Sequence, residues 1–288
     1  MLTGTARQFA SWLTERHYSP ATVACYVGYV QRAERAVGAL EAASADGLYD
    51  WWTTLPTSSS SRNGGRKALI AFYKSIGART GGPAVELPVL AAPDGRPRPV
   101  GPDAFTRLRG AAARLGGVHA AVAVLFATTG CRFSEARKAR WDQFDLEGGS
   151  WRIVGKGRRQ RGPKLREVPL HPTAVAVLAD WRWGCGSQVW VFPSVVNPQR
   201  PVSEQTMRRR VYAIAREAGV GERVNPHRWR HTFATAALES GNLAAVQDVL
   251  GHADPATTRR YAAVGFDRMR QAVDAAANYG SPGLYAVG

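Results

Sequence analysis

The chain has 288 residues, with 38 Lys and Arg against 22 Asp and Glu, a formal net charge of +16. That length suits two compact domains, because single hydrophobic cores stop growing near this size. The positive balance favours a polyanionic partner, nucleic acid first, and opposes a cationic substrate, while the lack of a long apolar run or basic amphipathic anchor argues against a membrane.

The first residues, Met1 to Gln8, lack the charged-then-apolar layout of a secretory signal, so the expected location is the cytoplasm and its nucleoid. Phe9, Trp12 and Leu13 mark a first helix. From Ser19 and Pro20, a cap and first-turn pair, Val23, Tyr26, Val27, Val30 and Val37 recur at helical spacing and define a second. Leu48, Trp51, Trp52 and Leu55 mark a third helix, and Leu69, Phe72, Tyr73 and Ile76 a fourth, whose start Gly64 and Gly65 obscure. These stripes read as core, so residues 1–80 are expected to form a helical bundle carrying Arg62, Arg66 and Lys67 at its surface. Residues 81–102 are crowded with proline and show no periodicity, which marks an extended linker.

A second domain is expected over 103–277, with a tail at 278–288. Residues 103–115, 118–127 and 134–141 read as helices, the last capped by Ser134. Residues 150–154 then alternate like a strand, Gly155, Lys156 and Gly157 turn, and 165–170 alternate again, which describes a β-hairpin with a long basic loop. From Pro172 onward the pattern is chiefly helical, so the fold class is mainly α with a small β-sheet. Cys25, Cys131 and Cys185 are widely spaced, fit neither a disulfide framework nor a thiolate zinc site, and are expected to be packing residues.

Five segments of this domain can carry chemistry. Arg132 lies in a turn before a helix start, where its guanidinium and the exposed helical N–H groups can converge on an anion, although a surface arginine at such a place is common. Lys156, Arg158, Arg159, Arg161, Lys164 and Arg166 concentrate positive charge in the hairpin, suited to a phosphate backbone or merely solvated. Asn225 and Pro226 start a helix on which His227 and Arg230 share one face, while Trp229, Phe233, Ala236 and Ala237 face the core. His227 and His231 are four apart, a zinc-compatible spacing, but no glutamate or third ligand accompanies them and Arg228 and Arg230 would repel a cation, so no metal is expected. Gly251 and His252 close one helix, and Asp254 and Pro255 open the next, which bears Tyr261, one of nine tyrosines.

In order, these segments read Arg, Lys, His-x-x-Arg, Leu-Gly-His, Tyr, and the chain resembles the tyrosine recombinase (phage integrase) family over almost its whole length. The most specific stretch runs from Asn225 to Val264. Trp229 stands where the family has leucine and Cys131 where it has an apolar residue. The resemblance implies an N-terminal helical core-binding domain and an α+β catalytic domain. It implies that Arg132 and Arg230 clamp the scissile phosphate, that His252 donates a further hydrogen bond to it, and that Tyr261 is the nucleophile with His227 as its general base. Lys156 would protonate the departing 5′ oxygen, and Glu135 would buttress the arginine and lysine side chains. Arg62, Arg66 and Lys67 of the first domain, Arg158, Arg159, Arg161 and Lys164 of the hairpin, and Arg208 and Arg209 are the candidate DNA contacts. The family implies no cofactor, double-stranded DNA with specific core sites as partner, a homotetramer on two duplexes, and room for a directionality factor.

The implied role is integration or excision of a phage or mobile element, since the N-terminal half matches the family pattern less closely. A Xer-like resolvase of chromosome or plasmid dimers is the alternative. A type IB topoisomerase shares the Arg-Lys-Arg-His-Tyr chemistry, and a DNA-binding relative without activity would share the fold; the N-terminal domain and the intact residue set disfavour both. Phe266, Met269 and Val273 repeat at near-helical spacing and fit packing on a neighbouring subunit or on their own domain.

Overall fold

The computed structural model describes residues 4–91, 98–155, 164–221, 224–239, 242–251 and 266–279. The chain divides into two compact units, Met1–Arg96 and Pro97–Gly288.

The first unit is a helical bundle: α1 Gly4–Glu15, α2 Pro20–Val37, α3 Ala45–Thr54 and α4 Ser59–Ser75. Serine side chains start three of them, Ser19, Ser44 and Ser58 each accepting a backbone N–H from the first turn. Phe9, Leu13, Val30, Leu48, Leu69 and Phe72 fill the core. α4 runs unbroken through Gly64 and Gly65, against the expectation that glycine would interrupt it. A Cβ at Gly65 would lie 2.7 Å from Leu55 Cδ1, and one at Gly64 3.1 Å from the Tyr29 hydroxyl, so these glycines serve close helix approach.

Arg62 and Arg66, expected as surface cations, are engaged inside this unit. Arg62 donates to the Thr53 carbonyl at 3.0 Å with its guanidinium 4.7 Å from the Trp52 ring, and Arg66 donates to the Leu87 and Val85 carbonyls at 2.7 and 3.0 Å. Lys67 is exposed. The Asn63 side chain likewise holds both the N–H and the carbonyl of Leu90. Much of the connection read as linker is therefore built into this unit, with Ala84 and Leu87 buried. Its other end is built into the second unit, where Arg228 donates to the carbonyls of Arg98 and Pro99, and the Val100 N–H to Thr232 Oγ1.

The second unit contains α5 Pro102–Leu115, α6 Gly117–Thr129, α7 Phe133–Arg137, α8 Pro172–Gly184, α9 Glu204–Glu217, α10 Pro226–Leu238, α11 Leu243–Leu250 and α12 Phe266–Asn278. Proline opens α5, α8 and α10, where its fixed φ and missing N–H cost nothing. α6 is apolar on all sides and buried from Ala120 to Thr129, the central rod around which α5, α8, α9, α10 and α12 pack. Three antiparallel strands lie in the order β1 Phe144–Asp145, β2 Ser150–Gly155 and β3 Lys164–Pro169. β1 is one strand more than the hairpin read from sequence, and Phe144 stacks on Trp151 at 4.9 Å to hold it.

Trp229 is fully buried and meets Phe105 edge-on at 5.5 Å, so it fills a core site as expected. The described part of α12 packs on its own domain, with Ala272, Val273 and Ala276 buried. The buried Arg109 of α5 donates to the carbonyls of Ala277 and Tyr279, tying down the end of that helix. No helix among the described residues is long and apolar enough to cross a membrane.

Candidate active site

The site begins where α6 stops. Gly130 takes the left-handed conformation, φ 55°, and a Cβ there would lie 2.3 Å from the Phe233 ring. Only glycine fits both constraints. The chain then turns so that Arg132 caps α7, and the Glu135 carboxylate reaches back to accept the Arg132 N–H at 2.7 Å. The cap is thus Arg132 and not Ser134, because an acidic side chain three residues into a helix satisfies the N–H of the residue before it. α7 is also shorter than the sequence pattern indicated, ending at Arg137. Gly130→Ala should cost about 2–4 kcal/mol through overpacking and left-handed strain, readable as a lowered midpoint in denaturant titration.

Three guanidinium groups converge on the C-terminal end of α11. Arg166 Nε donates to the Val249 carbonyl at 2.9 Å, Arg230 Nη2 to Leu250 at 2.8 Å, and Arg132 Nη2 to Gly251 at 2.9 Å. These carbonyls lack intrahelical partners and sit at the negative end of the helix dipole, so cations satisfy them. Gly251 adopts φ 63°, and a Cβ there would come within 3.0 Å of the Arg166 side chain. Arg230 Nη1 also donates to Gly130 at 2.7 Å, joining the ends of α6 and α11.

Glu135 is the carboxylate beneath this group. Its Oε1 accepts from Arg132 Nη1 at 2.9 Å and Arg166 Nη1 at 3.0 Å, and its Oε2 from Arg166 Nη2 at 2.8 Å. Burial would raise the carboxyl, but the hydrogen bonds and charges of Arg166, then Arg132, hold it down at about 2. A carboxyl lowered in the folded state contributes stability that is present above its unfolded pKa and lost as pH falls through the folded value. Between pH 5 and 2 the wild type should therefore lose about 3 kcal/mol more than Glu135→Gln, measured by denaturant unfolding at each pH. Burial, then the neighbouring Arg132, lowers Arg230 to about 10, which keeps it charged at neutral pH. Burial pushes the Cys131 thiol up to about 12, leaving it as a packing group.

A cleft of about 580 Å³ opens over these residues, lined by Arg132, Ser134, Arg208, Tyr212, His227 and Arg230 among others. Asn225 caps α10 through the N–H groups of His227 and Arg228, and His227 in the first turn lines the cleft. His231 stands edge-on to His227 at 4.5 Å, and burial, then His227 and Arg230, lowers its pKa. Arg208 lies 4.7 Å over the Phe133 ring; Arg209, next to it on α9, is exposed and is not part of the cleft lining. Of the expected set, then, Arg132, His227 and Arg230 meet in one place with Glu135 beneath them. Lys156, Arg158, Arg159, Arg161, His252 and Tyr261 lie outside the described residues, as does the side chain of Lys164.

Arg166 was read from sequence only as part of the hairpin's positive charge, suited to phosphate or merely solvated; its side chain is instead 8% exposed and bound to Glu135. Strand parity carried the signal. Arg166 pairs with Ile153 and shares the inward side with Val168, whereas Leu165 points out, 60% exposed. Tyr212 and Glu204, also in the lining, carried no signal beyond a place on an amphipathic helix.

Residues 103–268 match the model of the phage integrase family. A tyrosine recombinase XerC of Xylella fastidiosa is 39% identical over 155 residues, 53% of this chain and 50% of that protein. A tyrosine recombinase XerC of Xanthomonas axonopodis pv. citri is 34% identical over 215 residues, 73% of this chain and 68% of that protein. The chain spans about half the length of the Xylella relatives it matches. In fold it is similar to the crystal structure of a lambda integrase dimer bound to a core site, with TM-score 0.66 and 16% identity over 91% of this chain and 97% of that one. The chain belongs to the phage integrase family.

Proposed function

We propose that the protein is a site-specific DNA recombinase that cleaves and rejoins DNA through a 3′-phosphotyrosine intermediate, in the service of integrating or excising a phage or mobile element. The observation that carries this reading is the convergence of Arg132, Arg230 and His227 on one cleft, with both guanidinium groups already oriented by helix-end carbonyls. A phosphodiester resists attack because it is anionic, and planar arginine forks held in advance are the groups that neutralise charge growing on its non-bridging oxygens.

In the reaction, the Tyr261 oxygen attacks the scissile phosphorus as its proton passes to His227. The 5′ oxygen leaves with a proton from Lys156, and His252 adds a hydrogen bond to the phosphate oxygens. The phosphotyrosine bond conserves the energy of the bond broken. A free 5′ hydroxyl from a second duplex attacks it in turn, which releases the tyrosine and exchanges strands. The first unit serves as the core-binding domain and the second as the catalytic one, with Lys67, Arg158, Arg159, Arg161, Lys164, Arg208 and Arg209 on the DNA backbone. Solved relatives described as a lambda integrase dimer on a core site and a tetramer on a Holliday junction support duplex DNA and four protomers as the working assembly. A directionality factor would complete the partners of an integrase.

A second role, resolution of chromosome or plasmid dimers, is favoured by the name XerC shared by the curated relatives. Both roles use the same chemistry. A nicked suicide duplex bearing the protein's DNA site, located first by footprinting, should trap wild-type protein as a covalent adduct, and its failure to form would remove the recombinase reading. Supercoil relaxation without strand exchange would move the assignment to a topoisomerase.

A further inference from the structure

Arg166 has no part in the chemistry above, yet among the described residues it makes more side-chain hydrogen bonds than either Arg132 or Arg230. It occupies both oxygens of Glu135, at 3.0 and 2.8 Å, and the Val249 carbonyl at 2.9 Å. Its side chain is 8% exposed and it is not among the cleft-lining residues. Arg132 shares the same carboxylate through one Nη1 hydrogen bond, lines the cleft, and keeps its side chain 38% exposed. One carboxylate thus faces two arginines and is held bidentately by the one that does not line the cleft.

Charge decides what this division does. With Arg166 present, the carboxylate is matched by a buried partner and draws only a single guanidinium hydrogen bond from Arg132, at 2.9 Å. Without Arg166, the 4% exposed Glu135 side chain would keep Arg132 as its cationic partner. The fork of Arg132 would close on the carboxylate in the bidentate manner and turn away from the cleft. We propose that Arg166 is a positioning residue for DNA cleavage: by holding Glu135 bidentately, it keeps Arg132 from closing on the carboxylate and leaves its remaining donors to the scissile phosphate. The proposal rests on the recombinase reading of the same site.

The test compares single-turnover adduct formation on two suicide duplexes. One carries the ordinary phosphodiester, and the other a methylphosphonate at the scissile position, where a neutral methyl group replaces an anionic oxygen. Arg166→Met should slow cleavage of the phosphodiester by about 100-fold, the scale on which misplacing a catalytic group by ~1 Å acts, while noncovalent DNA binding persists. On the methylphosphonate, which presents less charge to neutralise, the loss should shrink to less than about 10-fold. Adding Glu135→Gln to Arg166→Met should restore phosphodiester cleavage at least ~10-fold, since no carboxylate remains to capture Arg132. A merely structural role would lower cleavage of both linkages equally. Equal losses, or no recovery in the double variant, would overturn the proposal. Melting temperatures identify a variant that fails to fold, and Arg166→Lys, which keeps the charge but lacks the fork, then carries the same comparison of linkages. Absence of any wild-type adduct would overturn the recombinase reading itself, an outcome distinct from the others.

Discussion

Tyr261→Phe is expected to bind its DNA site with nearly unchanged affinity and to form no covalent adduct. The substitution deletes one oxygen, the atom that would bond to phosphorus, and leaves the positive field of the cleft in place. Removing the nucleophile of a hydrolase lowers turnover on the order of 10⁶-fold, and a loss of that size is anticipated here. Tyr212 supplies the control, because it lines the same cleft as His227 and the two arginines. Tyr212→Phe should keep adduct formation. A reversed result, with Tyr261→Phe active and Tyr212→Phe inert on the suicide duplex, would transfer the nucleophile to α9.

Arg230→Ala should impair both the reaction and the fold. Its guanidinium bridges the Gly130 and Leu250 carbonyls at 2.7 and 2.8 Å, so deleting it orphans two buried acceptors. Each orphaned group costs about 1–3 kcal/mol, which should lower the thermal midpoint. Losing a preorganised donor to the phosphate should reduce single-turnover cleavage by about 10²–10³-fold beyond any loss of folded protein. Arg230→Lys separates the two effects. Lysine restores the charge but has no planar fork to span both carbonyls while facing a phosphate, so cleavage should stay well below wild type. A lysine variant that cleaves at the wild-type rate would show that charge alone suffices at this position.

The site was legible in part. Arg132, His227 and Arg230 could be chosen because motif order and helix periodicity placed them on helix starts and on one face, and the structure lines one cleft with them. Arg166 was read from the sequence only as a positive charge. Its parity on β3 was visible in the sequence, but its partners were not: Glu135 lies 31 positions before it and Val249 83 positions after it. The partners of Arg62 and Arg66 were hidden for the same reason, since their acceptors lie on other segments of the unit. Gly64 and Gly65 looked like helix breakers because intrinsic propensity is a local quantity, whereas the packing of α2 and α3 against α4 overrides it.

Taken by itself, the sequence determined the helices with serine caps or first-turn prolines, the hairpin between β2 and β3, the positive charge, and the order of residues that marks the family. These follow from short-range rules of spacing, capping and turn chemistry. Only the tertiary structure decided that one helix end would gather three arginines, that Glu135 would be shared unequally between two of them, and that α12 would pack on its own domain. Those features depend on which faces meet across long stretches of chain, and there unsatisfied helix-end carbonyls and a buried carboxylate select their partners from whatever cations the fold brings near.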